Sequence, residues 1–154
     1  MSDELYAQMK QSVIDGESED AERLAQEGLD AGLSAGDILD LGFVSEEEKR
    51  EAMAGAVAFI HPSVNESFGI VLLEAWLAGT PGLVHARSAV LRWQCAQSNG
   101  GLWFRHYPDF EEELLRLLDD PPLRHALGAA GRAYVQRNYA WPAVEQRLFA
   151  ALDA

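Results

Sequence analysis

The stretch Ala56–Pro81, AVAFIHPSVNESFGIVLLEAWLAGTP, constrains the fold of this chain more than any other. Ala56–Ile60 is apolar, uncharged and too short for a buried helix, so it reads as a strand covered on both faces, the kind found in parallel sheets. A polar turn opens at Pro62-Ser63, and an amphipathic helix, Phe68–Ala78, follows it and closes at Gly79-Thr80-Pro81. In open α/β sheets ligands bind in the crevice at the carboxyl ends of the strands, and this turn stands at such an end. Glu66 and Glu74 lie eight residues apart, about 80° of arc over about two helical turns. Both face one pocket if Glu66 is at the mouth of the helix and Glu74 in its second turn.

The string Glu66-Ser-Phe-Gly-Ile-Val-Leu-Leu-Glu74, continued by Ala-Trp-Leu-Ala-Gly-Thr-Pro81, resembles the acidic motif of the family 4 retaining glycosyltransferases, found in the second domain of their GT-B fold. The resemblance implies that Glu66 contacts hydroxyls of a donor sugar and that Glu74 holds the ribose. It also implies that the backbone amides of Phe68, Gly69 and Ile70 approach sugar and diphosphate. Amides at a helix N-terminus, with the positive end of the helix dipole, suit a diphosphate. The plainer alternative is that Glu66 caps the first helical turn and Glu74 rides a solvated face.

From Leu41 onward the order of elements is similar to the same family. Leu41–Val44 reads as a strand, and Ser45 as the N-cap of a helix with Glu48 as its capping-box partner. Pro81–Ala86 and Gly101–Phe104 read as further strands, Ala89–Gln97 as a helix between them, and Asp109–Leu118, Leu123–Asn138 and Trp141–Leu152 as closing helices. The expected fold is α/β: a partial Rossmann-like three-layer α/β/α arrangement with a short parallel sheet of three to four strands and an N-terminal helical hairpin. The strand Ala56–Ile60 is flanked by Pro81–His85, and that strand by Gly101–Phe104.

That hairpin is read from Leu5, Met9 and Val13 on one face of a helix behind Ser2, then from Ala21, Leu24, Ala25 and Leu29 on a second helix. Leu5-Tyr6, Val13–Gly16, Ala21–Leu29, Ala31–Leu33 and Asp37–Leu39 resemble the small helical domain that precedes the cobalamin domain of corrinoid proteins and methionine synthases. No Asp-x-His-x-x-Gly occurs anywhere, so cobalamin binding does not follow. Two resemblances meeting at Ile38–Gly42 suggest a chimera, engineered in origin, of a 1–40 hairpin and a 41–154 half-domain packed as one unit.

Composition bounds the partners. Net charge is −13, and residues 1–51 carry 15 acidic against 4 basic side chains, a balance that repels nucleic acid and anionic membrane. No run approaches the ~20 apolar residues of a membrane span, and the acidic start Met-Ser-Asp-Glu has no leader pattern, so a cytoplasmic setting is expected. Cys95 is alone and His61, His85, His106 and His125 are scattered, so neither disulfide nor metal site is expected. Cys95 reads as a small buried hydrophobe. His61 and His85 stand near the crevice, each either a hydrogen-bonded edge residue or a ligand contact. Trp76, Trp93, Trp103 and Trp141 read as core.

Family 4 transfer also needs an acceptor domain and an Arg and a Lys on the donor diphosphate, and Lys10 and Lys49, the two lysines, match neither. The expectation is therefore a chimera with no catalytic residues, no cofactor and no evolved activity. The alternatives are a binding module with weak affinity for a nucleotide or nucleotide sugar through Glu66, Phe68, Gly69, Ile70 and Glu74, and a transferase subunit completed by a partner. A bare edge at Ala56–Ile60 further suggests a homodimer, through that edge or through a swapped hairpin.

Overall fold

The computed structural model describes Gln8, Arg23, Glu27 and residues 43–152. The chain falls into two compact units, Met1–Val44 and Ser45–Ala154. Gln8, Arg23 and Glu27 are helical, and Arg23 pairs with Glu27 one turn on at 2.6 Å. The remainder of the expected hairpin lies outside the described residues.

In the second unit the reciprocal cap read from the sequence is formed. The Ser45 hydroxyl accepts from the Glu48 amide at 3.3 Å, and the Ser45 amide donates to Glu48 Oε2 at 2.8 Å. Helix α1 then runs Glu46–Gly55. It is followed by β1 (Phe59–His61), α2 (Ile70–Ala78), β2 (Gly82–His85), α3 (Ala89–Ser98), β3 (Gly101–Phe104), α4 (Tyr107–Asp119), α5 (Pro121–Tyr139) and α6 (Trp141–Leu152). The sheet is parallel in the order β1-β2-β3, with Phe59 opposite Gly82 and Gly82 opposite Gly101. That is the expected order. Parallel neighbours require crossovers, and α2 and α3 supply them.

The core gathers on α2. Leu72, Leu73 and Trp76 pack with Val84 of β2, Leu91 and Cys95 of α3, and Tyr134 and Val135 of α5. Trp76 is fully buried, donates its indole N–H to the Gly100 carbonyl at 2.7 Å and meets the Tyr134 ring edge-on at 6.0 Å. Two glycines let α5 come this close. A Cβ on Gly131 would stand 2.5 Å from the indole, and one on Gly128 would collide with the Gly79 carbonyl. Interior helical glycines cost about 1 kcal/mol each against alanine, a cost offset here by the close crossing.

Several expectations are corrected. The first strand is Phe59–His61 and not Ala56–Ile60, because Ala56 is the C-cap of α1 with its amide on the Met53 carbonyl at 3.1 Å. It is not covered on both faces: Ile60 is 41% exposed, as befits the edge of the sheet. Phe43 and Val44, the described half of the expected strand 41–44, are not in a strand and lie exposed. Of the four tryptophans only Trp76 is core; Trp93, Trp103 and Trp141 are 55%, 44% and 71% exposed. Apolar neighbours in sequence do not fix which face of an element meets its partner. Among the described residues no helix is long and apolar enough to cross a membrane.

Candidate functional site

The turn between β1 and α2 is shaped by one carboxylate. Glu66 Oε1 accepts from the Ser67 amide at 2.8 Å and the Phe68 amide at 3.2 Å, and Oε2 lies 3.4 Å from His61 Nε2 at the end of β1. The Phe68 and Ser67 amides hold the Glu66 carboxyl below its ordinary pKa. A negative group is favoured just ahead of a helix, so the sequence places its own anion where the dipole of α2 is positive. Glu66 braces the turn ahead of α2 and does not cap its first helical turn, whose N-cap is Gly69 with no side-chain cap bond. His61, on the edge strand β1, thus stands within ion-pair distance of that carboxylate.

Phe68 is clamped from both sides of its peptide. Its amide is on Glu66 and its carbonyl accepts from Gln94 Nε2 of α3, while its ring meets Tyr139 edge-on at 5.6 Å. Gly69, the N-cap of α2, has φ of +80°, and a Cβ there would also stand 2.5 Å from Leu91 Cδ2. Conformation and space both require glycine. Ile70 begins the helix. Glu66, Phe68, Gly69 and Ile70 therefore form one contiguous, rigidly braced cluster. Because α2 starts at Ile70, Glu66 precedes the helix and the helical arc does not govern its direction.

Glu74 is placed by a different element. It sits in the second turn of α2, half-buried, with Oε2 3.2 Å from the Lys49 ammonium of α1. Lys49 also lies 2.8 Å from Glu46 Oε2, and the Glu46 carboxylate, with Glu74 beside it, raises the Lys49 pKa. Glu74 is thus neither on a freely solvated face nor alone. Sequence reasoning set Lys49 aside and did not single out Gln94 or Tyr139. The spacing of Glu46 and Lys49, one helical turn, was the available sign for the lysine; nothing local in sequence points to the other two.

His85, at the end of β2, accepts from the Arg87 amide at 3.1 Å and packs against Phe104 at 5.1 Å. Burial, with Arg87 and His106 nearby, lowers its pKa and favours the neutral ring. Cys95 is in the core, and burial pushes its thiol up to about 12, so it is a hydrophobe, as expected, and not a nucleophile. A cavity of about 400 Å³ opens behind Phe68, lined by Ala89, Val90, Trp93, Gln94 and Tyr139; neither Glu66 nor Glu74 lines it. Among the described residues no group of three or more His, Cys, Asp or Glu could hold a metal ion.

A parallel sheet with a braced, glycine-dependent turn leading from a strand end into a helix defines a Rossmann-like α/β domain. The sequence profile described as "Glycosyl transferases group 1" matches residues 8–134, and the chain belongs to that family. It is 34% identical over 124 residues to phosphatidyl-myo-inositol mannosyltransferase of Mycobacterium tuberculosis, covering 77% of this chain and 32% of that protein. It is 30% identical over 115 residues to the GDP-mannose-dependent monoacylated alpha-(1-6)-phosphatidylinositol monomannoside mannosyltransferase of Corynebacterium glutamicum, covering 70% of this chain and 30% of the relative. Among solved structures it superposes on sucrose-phosphate synthase of Thermosynechococcus elongatus with a TM-score of 0.65 at 30% identity, over 85% of this chain and 35% of that one.

The chain spans about a third of the length of these curated relatives. The profile match starts at residue 8 and runs through Ile38–Gly42, where a splice was expected. One family therefore accounts for both sides of that point, and the findings give no support to a chimera, a corrinoid-protein origin or a designed protein.

Proposed function

We propose that Glu66, the Phe68–Ile70 backbone and Glu74 form the donor side of a group 1 glycosyltransferase site and bind a nucleotide sugar. The observation that carries this reading is the seat at the start of α2, where backbone amides converge on an anionic oxygen that Glu66 supplies in this structure. A diphosphate brings the same chemistry to the same place. Glu66, turned from the amides, is free to accept from sugar hydroxyls, and Glu74 from the ribose.

Affinity by the chain alone is weak. Its net charge of −13 gives no steering toward a diphosphate, and Glu66 competes for the amides. A Kd of about 1 mM, roughly 4 kcal/mol, is expected. Sugar transfer is reserved for a site completed by an acceptor-binding region and by cations on the leaving diphosphate. One relative is named for GDP-mannose, which makes that donor the first to try. In an NMR titration, saturable shifts centred on the Phe68, Gly69 and Ile70 amides are expected with GDP-mannose. A spectrum unchanged up to about 10 mM, ten times the expected Kd, would remove the reading.

A further inference from the structure

We infer that Lys49 is a positioning residue for Glu74, setting the carboxylate that the proposed function assigns to the ribose; the inference rests on that assignment. A glutamate side chain on a helix surface samples several rotamers, and a ribose diol needs one of them. Lys49 supplies the constraint. Its ammonium stands between Glu46 Oε2 at 2.8 Å and Glu74 Oε2 at 3.2 Å. Glu46 is 82% exposed, whereas the Lys49 and Glu74 side chains are at 29% and 33%, so the bridge runs inward from α1 to α2.

Glu74 Oε2 is itself buried and has no other partner among the described residues, so it is committed to the ammonium. Its second oxygen, Oε1, stays available to a ligand hydroxyl. The anchor is stiff because α1 is fixed at both ends, by the Ser45–Glu48 cap and by the buried Thr80 hydroxyl, which donates to the Met53 carbonyl. Thr80 follows the C-cap of α2, so the lysine and the carboxylate it holds are referenced to the same helix. Removing the ammonium leaves the buried oxygen unpaired, and the carboxylate must turn toward water to be solvated.

The test compares GDP with 2′,3′-dideoxy-GDP on the 154-residue chain by NMR titration, for the native protein and for Lys49→Met, which keeps the aliphatic stem, and Lys49→Arg, which keeps the charge. Lys49→Ala replaces the Met variant should that one not fold. The native chain is expected to favour GDP by about tenfold or more, the worth of a hydrogen bond to a carboxylate. Lys49→Met should cut the preference to about twofold or less, and Lys49→Arg should restore most of it. A preference that survives in Lys49→Met, including the case where both ligands weaken equally, overturns the positioning role and leaves Glu74 on the ribose. Equal affinity of the native chain for the two ligands overturns the ribose assignment itself, and the role of Lys49 with it.

Discussion

Glu66 does two jobs that pull against each other. It braces its own turn through the Ser67 and Phe68 amides, and in the proposed complex it must release them. The sign of the pH effect follows from its depressed pKa. The bracing is present above the unfolded carboxyl value of about 4.5 and is lost as pH falls through the lower folded value. The Ser67 and Phe68 amide resonances should therefore titrate together, with a midpoint below 4.5, while the core resonances of Trp76 stay in place. A midpoint at or above 4.5 would mean that the two amides do not hold the carboxylate. The acidic pair itself was legible from sequence because its residue types and spacing are local. The partners were not: Lys49 and Gln94 reach the motif from helices 25 and 20 residues away from Glu74, and only packing brings them in.

Glycines separate the elements that can move from those that cannot. Gly55 closes α1 with nothing within 4 Å of a built Cβ, while a Cβ on Gly128 would run into the Gly79 carbonyl, a backbone atom with no room to yield. Gly55→Ala should leave stability unchanged or raise it by about 0.4–1 kcal/mol, through the entropy of the unfolded chain. Gly128→Ala should lower it by about 1–3 kcal/mol or more, since α5 must back away from α2. Urea denaturation of both variants decides this; equal effects would mean that α5 does not lie against the end of α2. Helices α2 to α6 were read from sequence to within two residues at each end, and the capping box of α1 in full, because caps and punctuation are local. The first strand was placed too early. Nothing within Ala56–Phe59 tells how many residues the chain needs to drop from the end of α1 into register with β2, and that register is a property of the pair.

At the scale of the molecule, β1 is one edge of the sheet: among the described residues it pairs with β2 and nothing else. Phe59-Ile60-His61 carries no Pro or formal charge to blunt that edge. Self-association of the 154-residue chain is the expected outcome, and light scattering at micromolar concentration should give about twice 16.9 kDa. A mass of 16.9 kDa that does not change on dilution would show that the edge is closed within one chain. Sheet order and fold class were legible because the order of elements from Leu41 onward resembles that of one family, and the apolar runs fit it. The origin of the first 40 residues was misjudged for a physical reason. Helical hairpins make loose demands on sequence, so a resemblance there discriminates poorly, and the family match beginning at residue 8 is the stronger finding.

The claim on which the rest depends is that Glu66 and Glu74 serve one ligand. Titration of GDP-mannose and of GDP into the native chain, Glu66→Ala and Glu74→Ala, followed at the Gly69 and Ile70 amides, measures it most directly. Glu74→Ala should weaken both ligands by about tenfold or more, the worth of one charge-assisted hydrogen bond. Glu66→Ala should erase the advantage of GDP-mannose over GDP while leaving GDP bound, because the amides it vacates stay open to the diphosphate. Saturable binding that is indifferent to both substitutions would contradict the claim, and would move the nucleotide sugar away from the start of α2.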